Sequence, residues 1–356
     1  MPRKTSLATV LTRAWQRNLK AMTRATVRSS RKTATNVTKK VTQAVTRAVV
    51  EQRKPPPGAG DWISGMALGP AGGRRYHLFR PQLALKRGER LPLVVMLHGC
   101  NQTGRDFAVS TRMNRIATRQ RFCVLYPEQE RIANPQGCWN WYDTRSGQAH
   151  AEAATLMAML DQVCLLYAID RDRVAVAGLS AGASMAALLG SRFPTRFAAV
   201  AMHSGVAPGA ATSTASVLGA MHGRRAPTLP AAARRSVIAS APAGATDLPP
   251  LLVLHGNRDV VVSSRNAAAA AQVWADASGA TASAVRLQQR GQRYPVRVTE
   301  YKRRGRALAT VCEVQGLGHA WSGGAPGKPF SDPAGPDASK LIWAFAARQF
   351  ARVAAR

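Results

Sequence analysis

The pentapeptide Gly178-Leu179-Ser180-Ala181-Gly182 closes an apolar run that starts at Arg173 and opens a segment of helix formers, Ala183 to Leu189. A serine in that setting sits on a tight strand-to-helix turn, where flanking residues without side chains avoid collision. Its Oγ then stands at the end of a sheet as a nucleophile, and the N–H of Ala181 faces a developing oxyanion. A serine nucleophile also requires a base, an acid that orients the base, and a second oxyanion donor. Three further strand-like runs end in residues that can supply them. Leu93 to His98-Gly99-Cys100 lies upstream, and Leu251 to Asp259 and Val311 to His319-Ala320-Trp321 lie downstream.

Chain order assigns the roles. On an α/β-hydrolase sheet the three catalytic groups follow one another as Ser, Asp or Glu, then His. Asp259 comes just after the strand-like run Leu251 to Leu254, whereas Asp247 and Asp276 follow no strand. Of seven histidines, His319 is the one downstream of Asp259, in a glycine-rich loop. Ser180, Asp259 and His319 are therefore the candidate triad. His98, His203 and His255 end core strands and read as packing or loop-orienting residues. The second oxyanion donor is assigned to the backbone N–H of Cys100, beside that of Ala181. No metal or organic cofactor is implied by this set.

The cysteine count of five is odd, which excludes a disulfide scaffold. Cys123 and Cys164 lie in apolar runs and read as core. Nothing near Cys100 in sequence would lower its thiol pKa, so it is not read as a nucleophile. Cys100 and Cys138 pair in an oxidising compartment and stay thiols in a reducing one; the sequence leaves both open. Trp139, Trp141 and Trp321 fall in loops, where they either line a cleft for a hydrophobic ester or cover the loop bases.

These groups need elements to position them. Strand-like runs at Trp62 to Phe79, Leu91 to Leu97, Phe122 to Tyr126, Arg173 to Leu179, Phe197 to His203 and Leu251 to Leu254 alternate with helical stretches at Phe107 to Arg121 and Ala151 to Tyr167. That alternation predicts a mainly parallel sheet flanked by helices. Gln288 to Arg306 reads as basic strand and turn. A last helix starts near Asp337 or Ser339, either of which serves as N-cap, and runs to about Arg352. Hydrophobic residues make up 46% of the chain, enough for a substantial core, and no run reaches the eighteen or so apolar residues of a membrane span.

Residues 1–54 differ from the rest, holding 14 Lys and Arg against Glu51 alone, a net +13 of the total +32. The remaining +19 is spread over the following domain and reads as general composition. Two stripes at helical spacing, Leu7, Leu11, Trp15, Leu19 and Met22, then Val37, Val41, Val45 and Val49, make the arm basic and amphipathic helical, or disordered. The arm is then either solvated and weakly held or attached to a granule or other anionic or hydrophobic surface; organelle targeting, for which it has the composition, and nucleic acid rank lower. The arm lacks the apolar core of a secretory signal, which favours a cytoplasmic, granule-associated chain without ruling out secretion. Residues 55–61 form a Pro/Gly linker, residues 62–356 the α/β domain, and residues 206–249 an Ala/Pro-rich insertion that is either a lid or wall of the cleft or a disordered excursion.

Seven ordered motifs carry a resemblance. They are Leu-His-Gly-Cys-Asn-Gln-Thr (97–103), Thr-Arg-Met-Asn (111–114), Leu-Tyr-Pro-Glu-Gln (125–129), Cys-Trp-Asn-Trp-Tyr (138–142), Ala-Gly-Leu-Ser-Ala-Gly (177–182), Gly-Leu-Gly-His-Ala-Trp-Ser-Gly-Gly (316–324) and Asp-Pro-Ala-Gly-Pro-Asp-Ala-Ser (332–339). Over roughly residues 62–350 the chain resembles the poly(3-hydroxybutyrate) depolymerase family esterases, relatives of the acetyl xylan and feruloyl esterases. The resemblance implies an α/β-hydrolase fold, a triad of Ser180, Asp259 and His319, an oxyanion hole at Cys100 and Ala181, and cleft tryptophans at Trp139 and Trp141. It implies hydrolysis of hydroxyalkanoate esters, or of small acyl or aryl esters.

Overall fold

The structure, a computed structural model, describes residues 55–224 and 248–355. In chain order its elements are β1 (Gly60–Gly69), β2 (Gly72–Pro81), β3 (Leu91–Leu97), α1 (Gly104–Thr111), α2 (Met113–Gln120), β4 (Cys123–Pro127), α3 (Gln148–Leu166), β5 (Ile169–Leu179), α4 (Ala181–Arg192), β6 (Ala199–His203) and α5 (Thr214–Met221). Then come β7 (Leu251–Gly256), α6 (Arg265–Ser278), β8 (Thr281–Ala282), β9 (Arg286–Gln288), β10 (Val296–Arg303), β11 (Arg306–Val314), β12 (Trp321–Ser322), β13 (Ser331–Asp332) and α7 (Ala338–Ala354).

The main sheet runs β1-β2-β4-β3-β5-β6-β7-β11-β10-β8, with β9 also paired to β10. Its central six strands, β4 to β11 in that order, are parallel, and the strands outside them pair antiparallel. Period-2 alternation shows why both faces must be covered. Leu93, Val95, Val174, Val176, Val200, Met202, Leu251 and Val253 face one core layer, shared with α3, α4 and α6. Val94, Met96, Ala175, Ala177, Ala199, Ala201, Leu252 and Leu254 face the other, shared with α1, α2 and α7. Strands buried on both sides read as continuous apolar runs, which is how they look in the sequence.

The chain places β4 on one side of β3 and then crosses to place β5 on the other. In an open parallel sheet the crevice beyond the strand ends at such a reversal is where ligands bind. The loops after β3 and β5 carry Cys100 and Ser180, so topology alone brings the two predicted oxyanion-hole segments together.

Some boundaries differ from expectation. The stretch Phe107 to Arg121 is two helices, because Arg112 turns left-handed (φ 57) and its guanidinium donates to the Gly323 carbonyl. That contact spans 211 positions, and no local signal announces it. The first strand begins at Gly60, inside the predicted linker. The predicted insertion at 206–249 starts too early: Val206, Ala207, Ala210 and Ala211 are core residues, and Val206 N–H donates to Ser184 Oγ at 2.9 Å. The rest of it passes through α5 and then into residues 225–247, outside the described residues. The basic arm of residues 1–54 lies outside them as well. The last helix is capped by Asp337, whose carboxylate accepts from Lys340 N–H. Among the described residues, no helix is long and apolar enough to cross a membrane.

Candidate active site

Ser180 joins β5 to α4 with φ 56 and ψ −121, a conformation that costs a residue with a side chain about 1–3 kcal/mol. Close backbone approach holds it there. A Cβ on Gly178 would lie 2.3 Å from the Gly182 backbone, and one on Gly182 would lie 2.2 Å from the Leu97 carbonyl oxygen. Both glycines of the motif are thus required sterically. Ser180 N–H donates to the His203 carbonyl at 2.9 Å, which fixes the turn to β6.

The turn after β3 lies directly against the serine, since a Cβ on Gly99 would sit 3.5 Å from Ser180 Cβ. Among the described residues neither Cys100 N–H nor Ala181 N–H takes part in a hydrogen bond, so both donors are free. The turn is held from behind. Cys100 is disulfide-bonded to Cys138, with Cα atoms 4.3 Å apart, which settles the open pairing. Trp139 Nε1–H donates to the His98 carbonyl at 3.1 Å, and Gln129 N–H donates to His98 Nε2 at 3.1 Å. That acceptor role leaves the His98 proton on Nδ1, donated to the Gly99 carbonyl at 2.8 Å.

Beneath this loop sits Glu152, fully buried and not anticipated from the sequence. It accepts from Gln129 Nε2 at 2.8 Å, Asn140 N–H at 2.9 Å and Asn140 Nδ2 at 2.7 Å, with the Arg74 guanidinium 3.7 Å away. A buried carboxylate survives only with such partners. Its one sequence signal is an acidic residue on a largely apolar helix face, which does not say what it holds.

The two residues predicted as acid and base meet. Asp259 Oδ2 accepts from His319 Nδ1 at 2.7 Å, while Oδ1 accepts from the N–H groups of Val261 at 3.0 Å and Val262 at 2.8 Å. A carboxylate can only accept here, so His319 carries its proton on Nδ1 and presents a lone pair at Nε2. His255 Nε2 lies 3.4 Å from the same carboxylate oxygen. Burial alone would push the Asp259 carboxyl up, but hydrogen bonds from His255 and His319, the electrostatic influence of the His319 ring and the Val262 N–H together hold it well below the usual carboxylate range. Asp259 is therefore ionised throughout the neutral range.

The two loops bearing these groups are zipped to each other. Arg258 N–H donates to the Leu317 carbonyl at 3.0 Å, Gly316 N–H to Asn257 Oδ1 at 2.7 Å, and a Cβ on Gly256 would lie 2.1 Å from the Leu317 oxygen. Ser180 Oγ and His319 share no hydrogen bond in this structure. Such bonds are often long before substrate arrives.

The tryptophans correct one expectation. Trp139 and Trp321 are completely buried, and their indole N–H groups are committed to the His98 carbonyl and, at 3.1 Å, to Ser339 Oγ. They cover the loop bases and do not line the cleft. Trp141 keeps 8% exposure and packs edge-on against Tyr142.

Residues 75–289 match the family described as Esterase PHB depolymerase. The chain belongs to that family. A stretch of 133 residues is 37% identical to poly(3-hydroxyalkanoate) depolymerase C of Paucimonas lemoignei, covering 36% of this chain but 31% of that protein. Over 223 residues it is 28% identical to feruloyl esterase B of Neurospora crassa, covering 61% of this chain and 74% of that one. The chain thus spans under a third of the first relative and about three quarters of the second. Among solved structures, an acetyl xylan esterase from Aspergillus awamori superposes with a TM-score of 0.58 at 18% identity, over 74% of this chain and 94% of the other. A ferulic acid esterase superposes at 0.51 and 17% identity, over 82% and 99%. These likenesses show the α/β-hydrolase fold for this family member.

One pH dependence follows from its buried groups. Burial pushes the His203 imidazole down to about 3, with repulsion from His255 and His319 adding to the shift and the Asp259 carboxylate opposing it. A ring with a depressed folded-state pKa is held neutral by the fold, while the unfolded chain takes up its proton near 6.5. Its contribution is complete above about 6.5 and falls as acid is added toward 3, by up to about 1.4 kcal/mol per pH unit. The urea midpoint should therefore drop steadily from pH 7 to pH 4; a flat profile would contradict a neutral buried His203.

Proposed function

We propose that this chain is a serine hydrolase of carboxylic esters that works through an acyl-Ser180 intermediate. Ser180 Oγ attacks the ester carbonyl carbon as its proton passes to His319 Nε2. The oxygen of the tetrahedral intermediate accepts from the N–H groups of Cys100 and Ala181, which cost no reorganisation because they are already free. The carbonyl–alkoxy bond then breaks, and His319 returns the proton to the departing alkoxide, releasing the alcohol. Water attacks the acyl-enzyme with His319 again as base, freeing the acid and restoring Ser180. Asp259 keeps His319 in the required tautomer and stabilises its imidazolium.

The observation that carries this reading is the 2.7 Å bond between His319 Nδ1 and an ionised, backbone-anchored Asp259. Family membership supports ester hydrolysis generally. For substrate, the likeness to a polyhydroxyalkanoate depolymerase favours hydroxybutyrate-type oligomers or polymer. The fuller coverage of a feruloyl esterase favours a second reading, small acyl or aryl esters. A panel of p-nitrophenyl acetate and butyrate, a hydroxybutyrate oligomer, amorphous polymer and methyl ferulate separates the two. Turnover of oligomer or polymer well above the small esters is expected. Turnover confined to small or aryl esters would transfer the assignment to the second reading, and no turnover of any ester would overturn the proposal.

A further inference from the structure

We propose that His203 is a positioning residue that sets the His319 loop against the Ser180 turn. The inference rests on the Ser180–His319 mechanism and adds a residue to it. His203 ends β6, next to Leu179 in the sheet register. Its main chain serves the nucleophile, since its carbonyl accepts Ser180 N–H at 2.9 Å. Its side chain serves the base loop: Nε2 accepts Ser322 N–H at 3.1 Å, three residues after His319, and the ring stacks on Trp321 at 5.0 Å and 23°.

The direction of each bond is determined. A backbone N–H can only donate, so Nε2 carries no proton, and the neutral ring places its proton on Nδ1, 3.1 Å from Ser204 Oγ. A protonated ring would put an N–H against the Ser322 N–H and break the bridge. The groups that bear on its charge are Asp259, which favours protonation, and His255 and His319, which with full burial oppose it. The neutral bridge therefore persists across the range in which His319 has to act. Trp321 is anchored on its far side through Ser339 Oγ, which donates to the Thr111 carbonyl at 2.7 Å. The His319 loop is thus clamped between α7 and the His203 ring. Small errors in the Ser180–His319 separation cost rate steeply.

The test compares His203→Phe, which keeps a flat ring but offers Ser322 N–H no acceptor, with His203→Gln, whose amide oxygen can take the place of Nε2. The readouts are kcat and KM on p-nitrophenyl butyrate, the pH profile of kcat/KM, and the rate of covalent labelling by a fluorophosphonate. His203→Phe is expected to lower kcat and the labelling rate about 30-fold, leave KM within about threefold, and move the acid limb of the profile. His203→Gln should recover to within about threefold of wild type. If His203→Phe folds and keeps the wild-type labelling rate and acid limb, the inference fails. If wild type itself is not labelled at Ser180, the mechanism beneath it fails instead. Should His203→Phe not fold, 15N-histidine NMR of the wild-type protein decides the matter. A ring that stays neutral with bare Nε2 from pH 8 to pH 4.5 supports the bridge, and a His203 signal titrating near 6.5 overturns it.

Discussion

Ser180→Ala should lower kcat on any ester the protein turns over by about 10⁶, with the residual rate owed to the oxyanion donors and binding. The same position should report on stability in the opposite sense. At φ 56 and ψ −121 alanine is as strained as serine, because the conflict lies between Cβ and the backbone. Glycine has no such conflict, so Ser180→Gly should be more stable than Ser180→Ala by about 1–2 kcal/mol, read from denaturant midpoints. The fold accepts this strain because Gly178 and Gly182 let the strand and helix close around the turn. Retention of wild-type turnover in Ser180→Ala would remove Ser180 from the chemistry. Equal stabilities of the Ala and Gly variants would show that the turn relaxes in solution.

Breaking the Cys100–Cys138 bridge should lower kcat by about 10². The donor at stake is a backbone N–H, so it survives the Cys100→Ser, Cys138→Ser pair chemically and is lost only in placement. Displacing one of two oxyanion donors costs about 10²–10³ in turnover. Ground-state binding does not use that donor fully, so KM should change much less. The bridge also closes a separation of 38 residues, which on the chain-entropy account contributes about 4 kcal/mol to stability. Kinetics should therefore be taken at a temperature where circular dichroism shows both proteins folded. Wild-type kcat in the folded double variant would mean that the Trp139–His98 and Glu152 contacts hold the turn unaided. The same loss on treating wild-type protein with dithiothreitol would tie the oxyanion hole to the redox state of its surroundings.

Much of this site is legible in the linear sequence, for a physical reason. A nucleophile turn needs glycine at two fixed offsets from the serine, and a buried parallel strand needs an unbroken apolar run, so Ser180 and the central strands announce themselves locally. Chain order singles out Asp259 and His319 as candidates, because each follows a strand end and the sheet delivers strand ends to one edge; the fold does bring the two into a hydrogen bond. Asp337 as helix cap is local in the same way, its carboxylate reaching an N–H three residues on.

What the sequence left open depends on approach between distant segments. Phe107 to Arg121 carries an uninterrupted helical pattern, yet it breaks at Arg112, whose partner is Gly323. Trp139 and Trp321 read as loop residues available to a ligand, but Trp321 opens the short strand β12, both side chains fold inward, and both indole N–H groups are spent on backbone and serine oxygens. Glu152 and His203 carry no motif. A buried polar group is defined by what it bonds, and those partners, Gln129 and Asn140 for one and Ser180 and Ser322 for the other, are chosen only when the sheet and its loops close. Residue types and chain order single out the candidate reactive groups and the order in which the chain presents them. The tertiary structure decided how they are held, because orientation comes from hydrogen bonds and close backbone contacts between segments that spacing along the chain does not encode.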